Sequence, residues 1–242
     1  FRLGKDALAV GGFEYDAAPI DVLFSTNYWD NFYCFQLALA AAYKSSDGNH
    51  MLLAQVANSP YVHYDGAPWS SGLMSYNLYW SGTFGHLKML YSVNMFERKR
   101  FEFMNYIALG HKLVYDKWDF YLDLIHHSLA LDDWGKNFAA VACFNVYVTK
   151  DLSIYAKASY EQNRSDYDML DIQLNGDVNP DCLILSQHAY SSYGLGFEYR
   201  PSFCKAVRFH GVLAYRNVTD YSNPVKASSA SYNVNLGLTW NM

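Results

Sequence analysis

The chain has 242 residues, 51% of them hydrophobic, 18% aromatic and 17% charged, and 22 are tyrosines. Soluble domains average about 25% charged residues, so this surface is poor in charge for a protein bathed in water on every side. A formal net charge of −5 excludes the basic footprint of a nucleic-acid binder.

The apolar residues are plentiful but dispersed. The longest uninterrupted runs, 37–43 and 138–144, reach seven residues, against roughly 18 for a helix that crosses a bilayer. Strands that alternate between an oily and a polar face disperse them in this way, because neighbouring side chains point to opposite sides.

In chain order, the first predicted strand is 1–10 and the least regular. Residues 11–32 form a long connection with Gly11-Gly12, Pro19 and the acids Glu14, Asp16, Asp21 and Asp30. Strand 33–44 alternates well, and the turn 45–49 contains an Asp47-Gly48 pair, a dipeptide suited to positive φ. Strand 50–59 is its partner. A long loop, 60–72, carries two prolines. Strand 73–83 sets Met74, Tyr76, Leu78 and Trp80 on one face, and strand 87–96 sets Leu87, Met89, Tyr91, Val93 and Met95 opposite Lys88, Ser92 and Asn94. The cluster Glu97-Arg98-Lys99-Arg100 reads as the next connection, a solvated stretch at the rim. Segment 103–115 reads as a strand although both of its faces are apolar.

Strand 118–127 follows, with Phe120, Leu122 and Leu124 opposite Tyr121, Asp123 and Ile125. Loop 128–137 leads to strand 138–149, and Lys150-Asp151 turns the chain into strand 152–161. The longest loop, 162–188, is acidic. Strand 190–200 and turn 201–205 precede strand 206–217, loop 219–230 and the final strand, 231–242. In that last strand every even position from Tyr232 to Met242 is bulky and apolar, and every odd position is small or polar.

Twelve strands result, joined by connections that alternate short and long. Outer-membrane barrels have an even number of antiparallel strands, short periplasmic turns and longer extracellular loops. The expected fold is therefore all-β, a single antiparallel transmembrane β-barrel domain over residues 1–242, in the outer membrane of a Gram-negative bacterium. Three features favour this over a soluble β-sandwich of the carbohydrate-binding kind. The polar faces hold few solubilising Lys and Glu. Tyr and Trp gather at strand ends (Tyr33, Tyr43, Trp80, Trp118, Tyr232, Trp240), where barrels carry their aromatic girdles. Backbone groups inside a bilayer find no water, so strands there pair fully. No secretory signal precedes Phe1, from which we expect either a removed signal or a missing upstream stretch.

Several short segments carry a family resemblance. Arg2-Leu3-Gly4-Lys5, the stretch 11–16 with Ile20-Asp21, the stretch 53–60, Trp80, 92–97, 104–110 and 235–240 resemble outer-membrane porins of the Bacteroidota, which are similar to the phosphate-selective porin O/P family. The resemblance implies a channel, with the segment after the first strand (here 11–32) folding into the pore as a constriction. It also implies about 16–18 strands, so the twelve here either close as a smaller barrel or form the C-terminal part of a larger one. The arginine-rich constriction of some members has no counterpart in this acidic segment, and anion selectivity does not carry over.

No catalytic constellation stands out. His126 and His127 are adjacent on a strand, face opposite ways and cannot share a metal. No Gly-x-Ser-x-Gly elbow suggests a barrel phospholipase. The acids from Asp166 to Asp181 lack EF-hand spacing and read as a solvated loop. Cys34, Cys143, Cys182 and Cys204 show no ligand spacing and read as isolated thiols. The expectation is a passive pore for small hydrophilic solutes or ions, with no enzyme activity, no cofactor and no metal. Its partners are outer-membrane lipid and lipopolysaccharide, with a second copy as a further candidate. The alternative is a plugged or structural barrel acting as adhesin, receptor or scaffold subunit. Candidate pore-lining residues are Glu14, Asp16, Asp21, Gln36, Gln55, Asn77, Asn94, Asp123, Asn145, Lys157, Glu198, Arg208, His210, Arg216 and Asn235, a mixed set that predicts weak ion selectivity.

Overall fold

The computed structural model describes residues 1–7, 9, 11–13, 35–59, 72–99, 101–128, 135–166, 185–204, 206–223 and 228–240. Every regular element among them is a strand: β1 Arg2–Ala7, β2 Phe35–Lys44, β3 His50–Asn58, β4 Met74–Phe84, β5 Leu87–Lys99, β6 Glu102–Val114, β7 Trp118–Ser128, β8 Asn137–Tyr147, β9 Leu152–Asn163, β10 His188–Tyr199, β11 Val207–Asp220 and β12 Ser228–Trp240. They form one twelve-stranded sheet in sequence order, each strand antiparallel to the next. Among the described residues no ladder joins β12 to β1.

The two faces separate as the alternation predicts. Partners across a ladder share a face, so the register links Gln55 to Asn77, Asn94, Tyr106 and His127. It likewise links Tyr121 to Cys143, Lys157, Gly194, Ala214 and Asn233. This inner face is polar or closely packed. The outer face carries Leu78, Val93, Leu124, Phe144, Leu195 and Leu213, all exposed. On β12 the outer residues Tyr232, Val234, Leu236 and Leu238 are 56–75% exposed. Those four apolar side chains thus face away from the protein interior.

Aromatic rings bound the outer apolar band at both ends. Toward the short turns, Trp80 packs against Phe84 and Tyr91, and Trp118 against Tyr115 and Phe144. Toward the long connections run the pairs Tyr76–Phe103 and Phe138–Tyr160 and the row Tyr193–Tyr215–Tyr232. Rings that are apolar in body and polar at the tip suit a membrane–water boundary.

Several boundaries differ from the sequence expectation. β9 runs on to Asn163, β11 to Asp220, and β12 starts at Ser228, because the hydrogen-bonded ladder continues after the apolar alternation stops. The Glu97–Arg100 cluster is not the loop it was expected to be. Residues 97–99 belong to β5, the ladder shifts register between Glu97 and Lys99, and only residues 100–101 join it to β6. The Glu97 carboxylate explains the tight turn: it accepts from the backbone N–H of Phe101 at 2.8 Å and of Met74 at 3.0 Å, holding Phe101 at φ 65°. The side chains of Arg98, Lys99 and Arg100 lie outside the described set.

Candidate functional site

After β1 the chain leaves the sheet and lies against its inner face. The anchor is a relay of side chains on β3, β4 and β5. Gln55 Oε1 accepts from the N–H of Ala9 at 3.0 Å and from Asn77 Nδ2 at 3.1 Å. Asn94 Nδ2 donates to the carbonyl of Ala9 at 2.8 Å and to Asn77 Oδ1 at 2.8 Å. The Ser92 hydroxyl donates to Asn94 Oδ1 at 2.9 Å and accepts from the N–H of Gly11 at 2.7 Å. Two residues further on, the N–H of Phe13 is held by the Asp123 carboxylate on β7. Asn77 and Asn94 each both give and receive, which is how buried polar groups avoid the cost of lost hydration.

Two glycines let the backbone approach this closely. A Cβ on Gly11 would stand 2.9 Å from the backbone nitrogen of Ser92 and 3.0 Å from the carbonyl of Leu90. Gly12 sits at φ 109°, in the region that disfavours side chains. On the receiving wall, a Cβ on Gly110 of β6 would lie 2.8 Å from Cα of Gly12. The Phe13 ring then closes a buried cluster with Tyr121, Val141, Cys143 and Tyr155, flanked by Leu90.

A second polar belt lies on the same face near the short turns. Asp119 on β7 accepts from Asn145 Nδ2 at 2.9 Å and from the Tyr147 hydroxyl, with Lys112 Nζ at 3.6 Å. Glu198 on β10 pairs with Arg208 Nη1 at 3.3 Å and with Arg200. His210 Nε2 lies 3.3 Å from Thr239 Oγ1, and its ring covers Gly237 on β12. Higher on β11, the guanidinium of Arg216 sits 4.9 Å above the Tyr190 ring, a cation–π contact.

The expected pore-lining residues fall into three groups. Gln55, Asn77, Asn94 and Asp123 are buried, holding the inward stretch instead of facing open water. Lys157 and Arg208 are buried on the inner face, and Asn145, Glu198, His210, Arg216 and Asn235 are half-buried there. Gln36 occupies β2 opposite Asp6, while Glu14, Asp16 and Asp21 lie outside the described residues, as does most of the acidic stretch 166–181. The inner-face residues that sequence reasoning passed over are Ser92, Asp119, Tyr147 and Phe13. Ser92 and Asp119 were signalled by sharing a strand face with Asn94 and Asp123; Phe13 had no such signal. His127 is buried on the inner face and His126 lies on the outer one. Cys143, buried, and Cys204, half-buried, are not joined in a disulfide, and among the described residues no cluster of three His, Cys, Asp or Glu residues is arranged to hold a metal.

Among solved structures, the chain is similar to in-vitro folded OmpT, an outer membrane protein of Vibrio cholerae, with a TM-score of 0.61 over 98% of this chain and 74% of that one. The fold is that of an outer-membrane β-barrel. Sequence identity across the match is 14%, so the likeness is one of fold. An outer-membrane location agrees with that fold and with the apolar outer band between its aromatic girdles. No protein-family model matches the chain, and no curated relative matches it.

Proposed function

We propose that this protein is a porin: a passive diffusion channel for small hydrophilic solutes or ions in the outer membrane of a Gram-negative bacterium. It works without catalysis or a cofactor, in contact with outer-membrane lipid and lipopolysaccharide. The observation that carries this reading is the segregation of the faces. Asp119, Glu198, Arg208, His210, Arg216 and Asn235 line one side of a sheet whose other side is apolar. Charge on the inner wall of a barrel is stabilised by water in the lumen and costs too much where lipid meets the wall. The resemblance of its short motifs to Bacteroidota porins supports the same reading, and the inward stretch fits a segment that narrows the bore. Because acidic and basic groups alternate on this wall, selectivity is weak. Purified protein in a planar bilayer gives discrete conductance steps; a silent bilayer with folded, heat-modifiable protein overturns the channel.

One observation favours a second reading, a plugged barrel acting as receptor or scaffold subunit. Phe13, Phe96, Met104 and Tyr106 fill part of the inner face with buried apolar side chains. The same bilayer experiment separates the two, and chemical cross-linking in the membrane tests for a homo-oligomer.

A further inference from the structure

The outer wall is uneven across β8 to β12. One line of the register runs Leu122, Ala142, Ala158, Tyr193, Tyr215, Tyr232. The next line toward the short turns runs Phe144, Ala156, Leu195, Leu213, Val234. On β9 both lines present a methyl group, whereas the neighbours Tyr193 and Leu195 on β10 and Leu213 on β11 are more than half exposed, at 56%, 62% and 54%. The wall therefore steps inward by the depth of a large side chain. The result is a trough of about 490 Å³ floored by Ala142, Ala156 and Ala158, with walls from Phe144, Leu195 and Leu213 and a row of tyrosines along its upper edge. The tyrosine row lies on the side of the long connections, because β10 runs from that end at His188 toward the short turn after Tyr199.

We propose that this trough seats one acyl chain of a lipopolysaccharide from the outer leaflet. The proposal rests on the reading of the apolar face as lipid-facing, and the trough is continuous with that face. At this depth the surrounding phase is hydrocarbon, so the only material that fills an apolar recess without cost is a chain. Its upper edge is an interfacial tyrosine row, whose hydroxyls stand where the ester or amide linkages of a lipid lie. Long connections mark the extracellular side of such barrels, where lipopolysaccharide forms the leaflet. Each methylene buried against alanine methyls adds to retention, and a chain already fitted to a groove stays longer than one sliding past a flat wall.

The test is native mass spectrometry of the full chain extracted in mild detergent, with delipidated protein offered rough lipopolysaccharide or phosphatidylethanolamine in separate arms. The expected result is a retained lipopolysaccharide on the wild type, with retention falling about tenfold in the doubly filled variant Ala142→Phe/Ala158→Phe. Leu78→Phe, on the outer face of β4, keeps it. Equal retention by the filled variant, or equal retention of phosphatidylethanolamine by the wild type, overturns the proposal. Should the double variant fail to fold, Ala156→Leu fills the same floor with less bulk, and retention is again expected to fall; retention equal to wild type overturns the proposal there too. All these substitutions face lipid, so conductance is unaffected by them: a silent wild type speaks against the channel, while lost discrimination between lipids speaks against the trough.

Discussion

The backbone N–H of Phe13 lies 2.9 and 2.8 Å from the two carboxylate oxygens of Asp123, a residue 110 positions further along the chain. Both groups are buried. Asp123→Ala leaves that N–H without its acceptor away from water, a loss of about 1–3 kcal/mol. Asp123→Asn keeps a carbonyl oxygen in place and costs less. The expected outcome is a lower midpoint for heat-induced loss of the folded gel band in the alanine variant, with a larger single-channel conductance as the inward stretch comes away from the wall. Unchanged conductance in a destabilised Asp123→Ala channel shows that the stretch does not narrow the bore.

The two glycines before Phe13 are tested separately from their acceptors. Gly12→Ala places a Cβ on a backbone at φ 109° and costs about 1–3 kcal/mol. Gly11→Ala drives its new methyl to 2.9 Å from the backbone of Ser92, where no flexible side chain is available to give way. Both variants are expected to unfold at lower denaturant concentration than wild type. Gly135→Ala, also at positive φ (81°) but with open space around it, isolates the cost of backbone strain from that of the clash.

The face assignment of β12 yields a sharper contrast. Leu236 and Asn235 are neighbours on one strand, with Leu236 outward at 75% exposure and Asn235 half-buried on the inner face. A charge in the middle of the lipid-facing band costs about 2–4 kcal/mol for Arg or Lys. Leu236→Arg is therefore expected to lose that much in reversible unfolding from lipid vesicles, and Asn235→Arg much less. Equal losses at the two positions show that the strand does not divide lipid from lumen.

Most of the strands were legible because period-two alternation is a local property. Segment 103–115 was the ambiguous one, and the reason is physical. Met104, Tyr106 and Ala108 of β6 are buried on the inner face near Phe96 and the inward stretch, so this strand is apolar on both sides. The strand ends were harder to read. Gln162, Asn163, Thr219 and Asp220 extend their ladders beyond the apolar band, where side chains no longer report burial. The acceptor relay was half visible: Gln55, Asn77 and Asn94 stood out as polar residues on strands, but their convergence depends on the register of three strands. Their ligands are backbone groups of Ala9 and Gly11, which no residue type announces.

The belt near the short turns predicts paired shifts of opposite sign. Arg208 and Glu198 are within 3.3 Å of each other on β11 and β10. Arg208→Gln removes the cation and leaves the Glu198 charge, so the reversal potential in a salt gradient is expected to move toward cation preference. Glu198→Gln leaves Arg208 and Arg200 facing that region, and the potential is expected to move the other way. Ser92→Ala, beneath the inward stretch, removes no charge and is expected to leave selectivity unchanged. Shifts of the same sign for both charge variants argue that the belt does not line the path of the ions.

The β2–β3 turn gives a pH prediction outside the membrane-spanning strands. Asp47 is lowered from 3.8 to about 2, first by the Ser45 hydroxyl, then by the backbone N–H of Asn49 and then by the Asn49 side chain. Those contacts measure 3.0 Å from the Asn49 N–H and 3.0 Å from Asn49 Nδ2. All of them favour the ionised carboxylate, which the folded turn therefore binds more strongly than the unfolded chain does. The stabilisation is fully present above about pH 4 and is lost as pH falls through about 2. It is small, because the group is open to solvent. A carboxyl titration of the folded protein in micelles is expected to place Asp47 near 2, and Ser45→Ala to return it part of the way toward 3.8. A wild-type midpoint near 3.8 shows that these hydrogen bonds do not hold the turn in solution.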